Sequence, residues 1–312
     1  MPVALITGAS TGIGSATALR LTRAGWTVLA GVRDAAAGER LIADAGAQRA
    51  TGDTDTDTDT GAGGASSAGR SPEGSLLPLT LDVTNAEQIA GAAARVEELA
   101  RSGGDSLRGG LDALVNNAGV VGVGGPLELI ALDDVRGQLE VNVLGQIAVT
   151  QALLPALRRA RGRIAFVSSI GGRVAIPFTA PYAASKHAVE AIGDALRVEL
   201  RSSGVRVALI EPGSVATPIW DKGRAEAERV SVPEELQREY GHVPDAMDKV
   251  IEDTQRRGIP PEQVARTIER ALTARRMRAR YLVGRDAKGM VLMRRGLPDL
   301  VFDRVLRRAL GV

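Results

Sequence analysis

The sequence predicts an α/β fold built on a doubly wound parallel sheet, and three observations support this prediction. Short apolar runs alternate with segments of helical periodicity through the first two thirds of the chain. These runs consist mainly of Val, Ile, Leu and Ala, as expected for strands covered by helices on both faces. A glycine-rich turn directly follows the first run, where an open α/β sheet binds its ligands. We expect one layered domain over residues 1–312.

Predicted strands and helices follow one another in chain order. The predicted strands are Val3–Thr7, Thr27–Val32, Leu76–Leu81, Leu111–Asn116, Arg163–Ser168, Val205–Glu211 and Arg280–Gly284. The predicted helices are Gly12–Ala24, Ala86–Ala100, Asp133–Leu157, Pro181–Leu200, Pro260–Arg278 and Pro298–Leu310. This repeated order is typical of parallel strands joined by helical crossovers.

Composition limits the classes of site that the chain can form. The chain has 312 residues, of which 44% are hydrophobic, and it contains no cysteine, so disulfides and thiolate metal sites are excluded. The two histidines, His187 and His242, lie apart from any carboxylate cluster, and we therefore expect no metal site. No signal peptide and no apolar run of membrane-spanning length are found, which predicts a cytoplasmic protein.

The turn after the first strand reads Thr7-Gly8-Ala9-Ser10-Thr11-Gly12-Ile13-Gly14. Its three glycines permit a tight turn, a close approach of phosphate, and close packing of the following helix on the sheet. The N–H groups at that helix N-terminus would then face a pyrophosphate. The pattern predicts a dinucleotide-binding turn, with a purely structural turn as the alternative.

Further motifs follow in order: Leu81-Asp82-Val83, Asn116-Asn117-Ala118-Gly119, and Pro212-Gly213 with Thr217. Together with the G-x-x-x-G-x-G turn, they resemble the compact branch of the short-chain dehydrogenase/reductase family over residues 3 to about 217. The resemblance implies a Rossmann-like fold, oxidoreductase activity, a nicotinamide cofactor and a homo-oligomer. It implies cofactor contacts at Gly8, Ser10, Thr11, Gly12, Ile13, Gly14, Arg33, Asp82, Val83, Asn116, Ala118, Gly119, Tyr182, Lys186, Pro212, Gly213, Val215 and Thr217.

The end of the second strand predicts a preference for NADP(H) over NAD(H). NAD enzymes usually place an acid there to bind the ribose 2′-hydroxyl, whereas this chain has Val32 followed by Arg33. A guanidinium suits the 2′-phosphate of NADP through charge-assisted bonds. Asp34 lies one residue beyond the position at which an NAD enzyme usually has its acidic residue. The alternative is that Arg33 is simply a solvated loop residue.

Four residues match the family's catalytic tetrad, namely Asn142, Ser169, Tyr182 and Lys186. Tyr182 and Lys186 are four apart on a predicted helix and so share a face. A free tyrosine has a pKa of about 10, and a nearby ammonium favours its ionised form. Ser169 can hydrogen-bond the substrate oxygen. The resemblance further implies that Lys186 binds the nicotinamide ribose and that Asn142 holds a water in a proton relay.

The region after the sixth strand concerns the substrate. Residues 212–258 are predicted to form a helical substrate lid, and the end of the chain resembles hydroxysteroid and retinol dehydrogenases, which implies a lipophilic alcohol or ketone. Several apolar side chains could either pack in the core or line an apolar substrate pocket, and the sequence favours neither alternative. They are Val174, Ile176, Pro177, Phe178, Val215, Ile219, Trp220, Tyr240 and Met247. A cofactor-binding sensor or scaffold without turnover is the alternative function. We see no zinc-finger spacing, RNA-binding signature or recognition helix, and expect no nucleic-acid partner.

Two segments lie outside this pattern. Residues 48–75 include a small, polar Asp-Thr repeat and are predicted to be a disordered insertion, with calcium binding as the alternative. The C-terminal extension, residues 284–312, belongs to a strongly basic end of the chain. Its last helix alternates arginines with Leu300, Val301, Val305 and Leu306. These apolar residues predict packing on the lid or on a partner subunit, and peripheral contact with an anionic membrane is the alternative.

Overall fold

The computed structural model describes residues 1–51, 74–102, 109–227 and 229–310. Within these residues, seven strands form one parallel sheet in the order β3-β2-β1-β4-β5-β6-β7. The strands are β1 (Val3–Ile6), β2 (Thr27–Val32), β3 (Ser75–Thr80), β4 (Ala113–Asn116), β5 (Arg163–Val167), β6 (Arg206–Pro212) and β7 (Arg280–Val283). The strand order reverses between β1 and β4, which confirms the predicted doubly wound sheet.

Helices cover both faces of the sheet. They are α1 (Gly12–Arg23), α2 (Ala35–Thr51), α3 (Ala86–Ser102), α4 (Leu132–Leu139), α5 (Gln146–Ala160), α6 (Ala180–Glu199), α7 (Ile219–Ala227), α8 (Gln237–Tyr240), α9 (Val243–Arg257), α10 (Pro261–Thr273), α11 (Arg285–Gly296) and α12 (Asp299–Leu310). Within β1, Ala4 and Ile6 join one apolar layer, whereas Val3 and Leu5 join the other. This alternation buries both faces of the strand, as its unbroken apolar run predicts.

The topology gathers the functional loops at one edge. In a parallel sheet, the carboxyl ends of all strands point the same way, and the loops after β1 and β4 part at the reversal of strand order. This parting opens a cleft above the sheet. The turns that carry the predicted cofactor and tetrad residues after β1, β4, β5 and β6 all reach this edge.

One predicted helix differs in detail. The stretch Asp133–Leu157 was expected to form a single regular helix, and the structure divides it between α4 and α5 with a π-helical turn, Glu140–Gly145, between them. A π-helical turn closes hydrogen bonds over five residues and is wider than an α-helical turn. Apolar periodicity does not reveal such a local widening.

The C-terminal extension forms two helices, of which only α12 was predicted. Phe302 and Leu306 on α12 are buried and pack against Val174. Leu306 thus packs within the chain, against Val174 and not against the predicted lid. Leu300, Val301 and Val305 are exposed, and their packing on a partner subunit stays a prediction. Helix α11 has few buried apolar positions, so its sequence carries little helical periodicity.

The insertion predicted for residues 48–75 is shorter at both ends, because α2 continues to Thr51 and β3 begins at Ser75. Most of that insertion lies outside the described residues. The segment predicted as a helical lid contains α7, α8 and α9. Across the described ranges, no helix is both long enough and apolar enough to span a bilayer.

Candidate active site

The glycine turn between β1 and α1 adopts a backbone that glycine tolerates best. Gly8 and Gly12 have φ angles of 64° and 58°. A Cβ atom on Gly14 would lie 2.1 Å from the Gly8 carbonyl oxygen, so α1 packs directly against the turn. Thr11 makes no side-chain capping bond to α1, and the first turn of the helix holds no acid. The positive end of this helix is therefore available to an anion.

The turn is fastened to the loop after β4. The Asn117 side-chain amide donates hydrogen bonds of 3.0 Å to the carbonyls of Thr7 and Gly8. In return, the Thr7 hydroxyl accepts from the backbone N–H groups of Asn117 and Ala118 at 3.0 and 2.9 Å. Asn116 was predicted to contact the cofactor, but it does not line the cleft. It is fully buried, and its side-chain amide donates to the Thr150 hydroxyl at 2.8 Å. Its side chain supports the strand instead.

A cleft of about 560 Å³ runs over these loops. It is lined by most of the predicted cofactor and tetrad residues: Gly8, Ser10, Thr11, Gly12, Ile13, Arg33, Asp82, Val83, Ala118, Gly119, Ser169, Tyr182, Lys186, Pro212, Gly213, Val215 and Thr217. Gly14 lies behind the turn, where it serves helix packing. The cleft thus joins the glycine turn to the tetrad tyrosine and lysine.

Arg33 after β2 and Asp82 after β3 are among the charged residues that line the cleft. Arg33 is exposed and lines the cleft, whereas Asp34 caps α2, its carboxylate accepting from the Ala37 N–H at 2.7 Å. The Asp82 carboxylate accepts from the backbone N–H and hydroxyl of Thr84 at 2.9 and 2.7 Å. These bonds, with the charge of Arg33, hold the pKa of Asp82 below its usual value. Both acids are engaged in local hydrogen bonds, whereas the Arg33 side chain is exposed in the cleft.

Ser169, Tyr182 and Lys186 come together where β5 meets α6. The Ser169 hydroxyl accepts from the Gly171 N–H at 3.0 Å, at the start of a short 3₁₀ turn, and it hydrogen-bonds Tyr182. The Lys186 ammonium lies 5.8 Å from the centroid of the Tyr182 ring and donates to the Val167 carbonyl at 3.0 Å. The helical spacing of four residues therefore places both side chains on one face of α6, as predicted.

Burial shifts both ionisable groups of this trio. It raises the pKa of Tyr182 above its ordinary value, and the bond from Ser169 partly opposes the rise. It lowers the pKa of Lys186 to about 8, and the negative charge of Glu190 partly opposes the fall. Tyr182 thus keeps its proton at neutral pH, while Lys186 remains largely an ammonium.

Asn142 lies in the π-helical turn and is fully buried. Its side-chain oxygen accepts from the Val120 N–H at 2.8 Å, and its amide donates to the Val120 carbonyl at 2.9 Å and to the Ser185 hydroxyl at 3.0 Å. Both amide hydrogens are therefore used. The side chain fixes the loop after β4 to α6, one residue before Lys186.

Histidines take no part in this site. His187 Nδ1 lies 2.9 Å from the Ala183 carbonyl on its own helix. Among the residues that the structure describes, no three His, Asp or Glu side chains converge as a metal site would require.

Comparison with known proteins identifies the family. The family profile described as short chain dehydrogenase matches residues 2–60 and 54–228. The chain belongs to the short-chain dehydrogenase/reductase family. It is 38% identical to human retinol dehydrogenase 16 over 240 residues, which are 73% of this chain and 72% of the relative. It is 36% identical to an NADPH-dependent 3-dehydrocapnine reductase of Ornithobacterium rhinotracheale over 206 residues, 64% of this chain and 71% of the relative.

A solved structure agrees over almost the whole chain. A short-chain dehydrogenase/reductase from Burkholderia phymatum, in complex with NAD, is 27% identical with a TM-score of 0.71. The match covers 94% of this chain and 92% of that protein. Membership of the family and the Rossmann-like architecture predicted from the sequence are both confirmed. The chain is therefore an oxidoreductase of the class that acts on alcohols and carbonyls.

Beside the trio, this short-chain dehydrogenase/reductase has an apolar pocket of about 350 Å³. Ser169 and Tyr182 line both the pocket and the cleft, so the two cavities meet at the reactive tyrosine. The apolar lining includes Val121, Val123, Ile170, Ile176, Trp220, Val230, Met247 and Ile251. Of the candidates from the sequence, Ile176, Trp220 and Met247 lie in the pocket. Val174 packs under α12, and the Tyr240 hydroxyl donates to Glu128 at 2.5 Å.

Sequence reasoning missed Asp286, which supports the cofactor side of this site. Its carboxylate accepts from the Ser214 N–H at 2.6 Å, and a Cβ atom on Gly213 would lie 2.3 Å from it. Asp286 therefore holds the Pro212-Gly213 loop from the start of α11. No signal in the sequence points to it, because it stands far along the chain in a segment without a recognised motif.

Proposed function

We propose that the protein is an NADP(H)-dependent oxidoreductase that interconverts a hydroxyl and a carbonyl group on a lipophilic small molecule. The observation that carries the proposal is the meeting of two cavities at Ser169 and Tyr182. One cavity contains the glycine turn and Arg33, and the other has predominantly apolar walls. A dinucleotide in the first and an apolar substrate in the second would approach each other at the tyrosine.

The donors of the cleft suit a dinucleotide phosphate. The N-terminus of α1 is free of acids and side-chain caps, which favours a pyrophosphate. Arg33 lines the cleft, whereas the neighbouring Asp34 directs a carboxylate oxygen to the start of α2 and does not line the cleft. A guanidinium there favours a 2′-phosphate. The NADPH-dependent relative also supports NADP(H) as the cofactor. The NAD-bound relative indicates that the fold also accepts NAD, so the affinities for both cofactors need to be measured.

The substrate class follows from the apolar pocket. Valine, isoleucine, tryptophan and methionine side chains dominate its wall. Such a wall binds a hydrocarbon skeleton and leaves polar recognition to the reacting oxygen. The similarity to a retinol dehydrogenase supports a lipophilic alcohol or ketone.

The residues of the trio divide the proton chemistry among them. The nicotinamide cofactor would supply or accept the hydride when bound. In the reductive direction, the Ser169 hydroxyl holds the carbonyl oxygen while Tyr182 donates its proton to that oxygen as negative charge develops. The pKa of Tyr182 is raised by burial, so the residue is protonated and ready to donate at neutral pH. Lys186 then stabilises the resulting tyrosinate electrostatically.

A turnover assay with a matched variant tests the proposal. Consumption of NADPH and of NADH is followed across lipophilic ketones, aldehydes and quinones, and cofactor affinity is measured separately. Tyr182→Phe keeps the ring and removes the proton, so turnover should fall by about 10²–10⁴-fold while cofactor still binds. Cofactor binding without turnover across the panel would instead support a sensor or scaffold. Near-normal turnover by the variant would refute the role of Tyr182.

The cytoplasmic location and the homo-oligomer stay predictions. Gel filtration with light scattering measures the second directly, and fractionation of the source cells measures the first.

A further inference from the structure

A buried ionic cluster lies next to the trio and is not used by the proton chemistry above. It consists of Glu190 on α6, Glu211 near the end of β6 and Arg280 at the start of β7. The Arg280 Nε atom lies 3.0 Å from a carboxylate oxygen of each glutamate. The side chains of Glu190 and Glu211 are only 7% and 1% exposed. Two buried carboxyl groups therefore share one guanidinium nitrogen.

One carboxylate oxygen of the cluster lacks a hydrogen-bond donor among the residues that the structure describes. Within the described residues, the Glu190 Oε1 atom is buried and has no hydrogen-bond partner, although the Glu211 carboxyl lies within hydrogen-bonding reach. Two ionised carboxylates would repel each other there because their charges are alike. Neither would carry a proton to donate to the other in a hydrogen bond. A single proton on the pair would supply the missing donor and remove one buried negative charge.

The other charged groups around the pair are partly engaged elsewhere. The Arg280 Nη2 atom lies 2.6 Å from the Asp194 Oδ2 atom. The other carboxylate oxygen of Asp194 lies 2.7 Å from the Arg197 Nη2 atom. Arg173 reaches Glu211 from the turn after Ser169, at 3.2 Å. From α6 itself, Lys186 lies one helical turn before Glu190. Burial is the main cause that raises the pKa of Glu211 to about 7, followed by the charge of Glu190.

The cluster is connected to three parts of the active site. Glu190 lies on the helix of Lys186, and its charge opposes the fall in the lysine pKa. Glu211 directly precedes the Pro212-Gly213 loop of the cofactor cleft. Arg173 ends the short turn that Ser169 begins. Changes of charge in the cluster therefore act on residues that contact substrate and cofactor.

We propose that Glu190 and Glu211 share one proton held against Arg280, and that this pair is a positioning site that sets the charge beside Lys186. Loss of that proton adds a negative charge near the lysine, which favours its ammonium form. The ammonium is thereby maintained as the solution becomes alkaline. The shared proton is independent of the proposed function, whereas its effect on turnover rests on that function.

Infrared difference spectroscopy on protein labelled with ¹³C-glutamate detects the proton without any need for activity. We expect the carbonyl band of a protonated glutamate that disappears as pH rises through about 7. Glu211→Gln should abolish the band, because its amide can donate to Glu190 in place of the proton. Glu269→Gln, in the partly exposed Arg20–Glu269 pair that joins α1 to α10, should leave it unchanged. Absence of the band in wild type, or its persistence in Glu211→Gln, would overturn the proposal.

The effect on the lysine has a separate kinetic test. Glu190→Gln removes a negative charge from the turn beside Lys186, and the alkaline limb of the kcat profile should move to lower pH by about one unit. Glu211→Gln should remove the inflection near neutral pH. A merely structural role would lower kcat at every pH without moving either feature. If no substrate turns over, the infrared result still decides the shared proton.

Discussion

Replacing Lys186 with methionine should stabilise the protein while it abolishes activity. Lys186 is 5% exposed, and burial lowers its pKa from 10.5 to about 8. Keeping the ammonium in the folded protein below this pH therefore costs about 3 kcal/mol. Methionine is similar in length and uncharged, but it loses the bond to the Val167 carbonyl, worth about 1 kcal/mol. We expect a net gain of about 2 kcal/mol in the free energy of unfolding at neutral pH.

The pH dependence separates this cause from ordinary repacking. The folded-state pKa lies below the unfolded value, so the unfolded chain binds more protons between pH of about 8 and 10.5. Wild type therefore gains stability through that window, and the advantage of Lys186→Met should shrink across it. Denaturant unfolding of both proteins at neutral and alkaline pH measures the difference, with Lys249→Met on an exposed position of α9 as the matched control. The reasoning would be refuted if Lys186→Met were less stable than wild type at neutral pH. It would also be refuted if the difference in the free energy of unfolding between the two proteins did not change with pH.

Three further predictions concern the cofactor end and the C-terminal helices. Arg33→Asp should weaken NADPH binding by about 10–100-fold relative to NADH, measured by titration, because a charge-assisted contact becomes a repulsion; equal affinity of wild type for both cofactors would contradict it. Asp286→Ala frees the Ser214 N–H and should raise the cofactor KM about tenfold with little change in kcat, whereas an unchanged KM would show that the loop holds without it. Phe302→Ala removes a ring that is 3% exposed and should cost about 3 kcal/mol of stability, while Val301→Ala, 39% exposed on the same helix, should cost well under 1 kcal/mol. Equal losses from these last two variants would mean that α12 packs differently.

The centre of the sheet could be predicted from the sequence because β1, β2, β4 and β5 are almost entirely buried and their apolar runs are nearly unbroken. The glycine turn and the placement of Tyr182 and Lys186 on one helix face could also be predicted, since each depends on a short spacing within one turn or one helix. Asn142 and Ser169 stand on other elements, and the family resemblance alone singled them out. Helix α11 could not, because Leu292 is 73% exposed and the helix lacks a continuous apolar face. The ends of the insertion were misjudged for a related reason, as α2 extends into polar sequence.

The contacts that sequence reasoning missed join residues far apart along the chain. Glu190, Glu211 and Arg280 stand on three different elements, and only the adjacency of β6 and β7 beside α6 brings them together. Asn116 and Asn117 illustrate the complementary difficulty. They are identical neighbours, yet one faces the protein interior and the other the glycine turn, because successive positions at the end of a strand point in opposite directions.

The π-helical turn at Asn142 makes the length of this helix a determinant of the site. A π-helical turn is equivalent to one extra residue inserted into a regular α-helix. Each residue of an α-helix rotates the chain by about 100°. Because the π-helical turn absorbs that rotation locally, deleting one residue from Glu140–Gly145 would leave an ordinary α-helical turn, keep the buried Val149 and Leu153 facing the sheet, and remove the widening in which Asn142 lies. A variant that retained all four tetrad residues but lacked one position here would have lost the widened turn that brings Asn142 to Val120. In this segment, the number of residues determines the geometry of the site as much as their identity does.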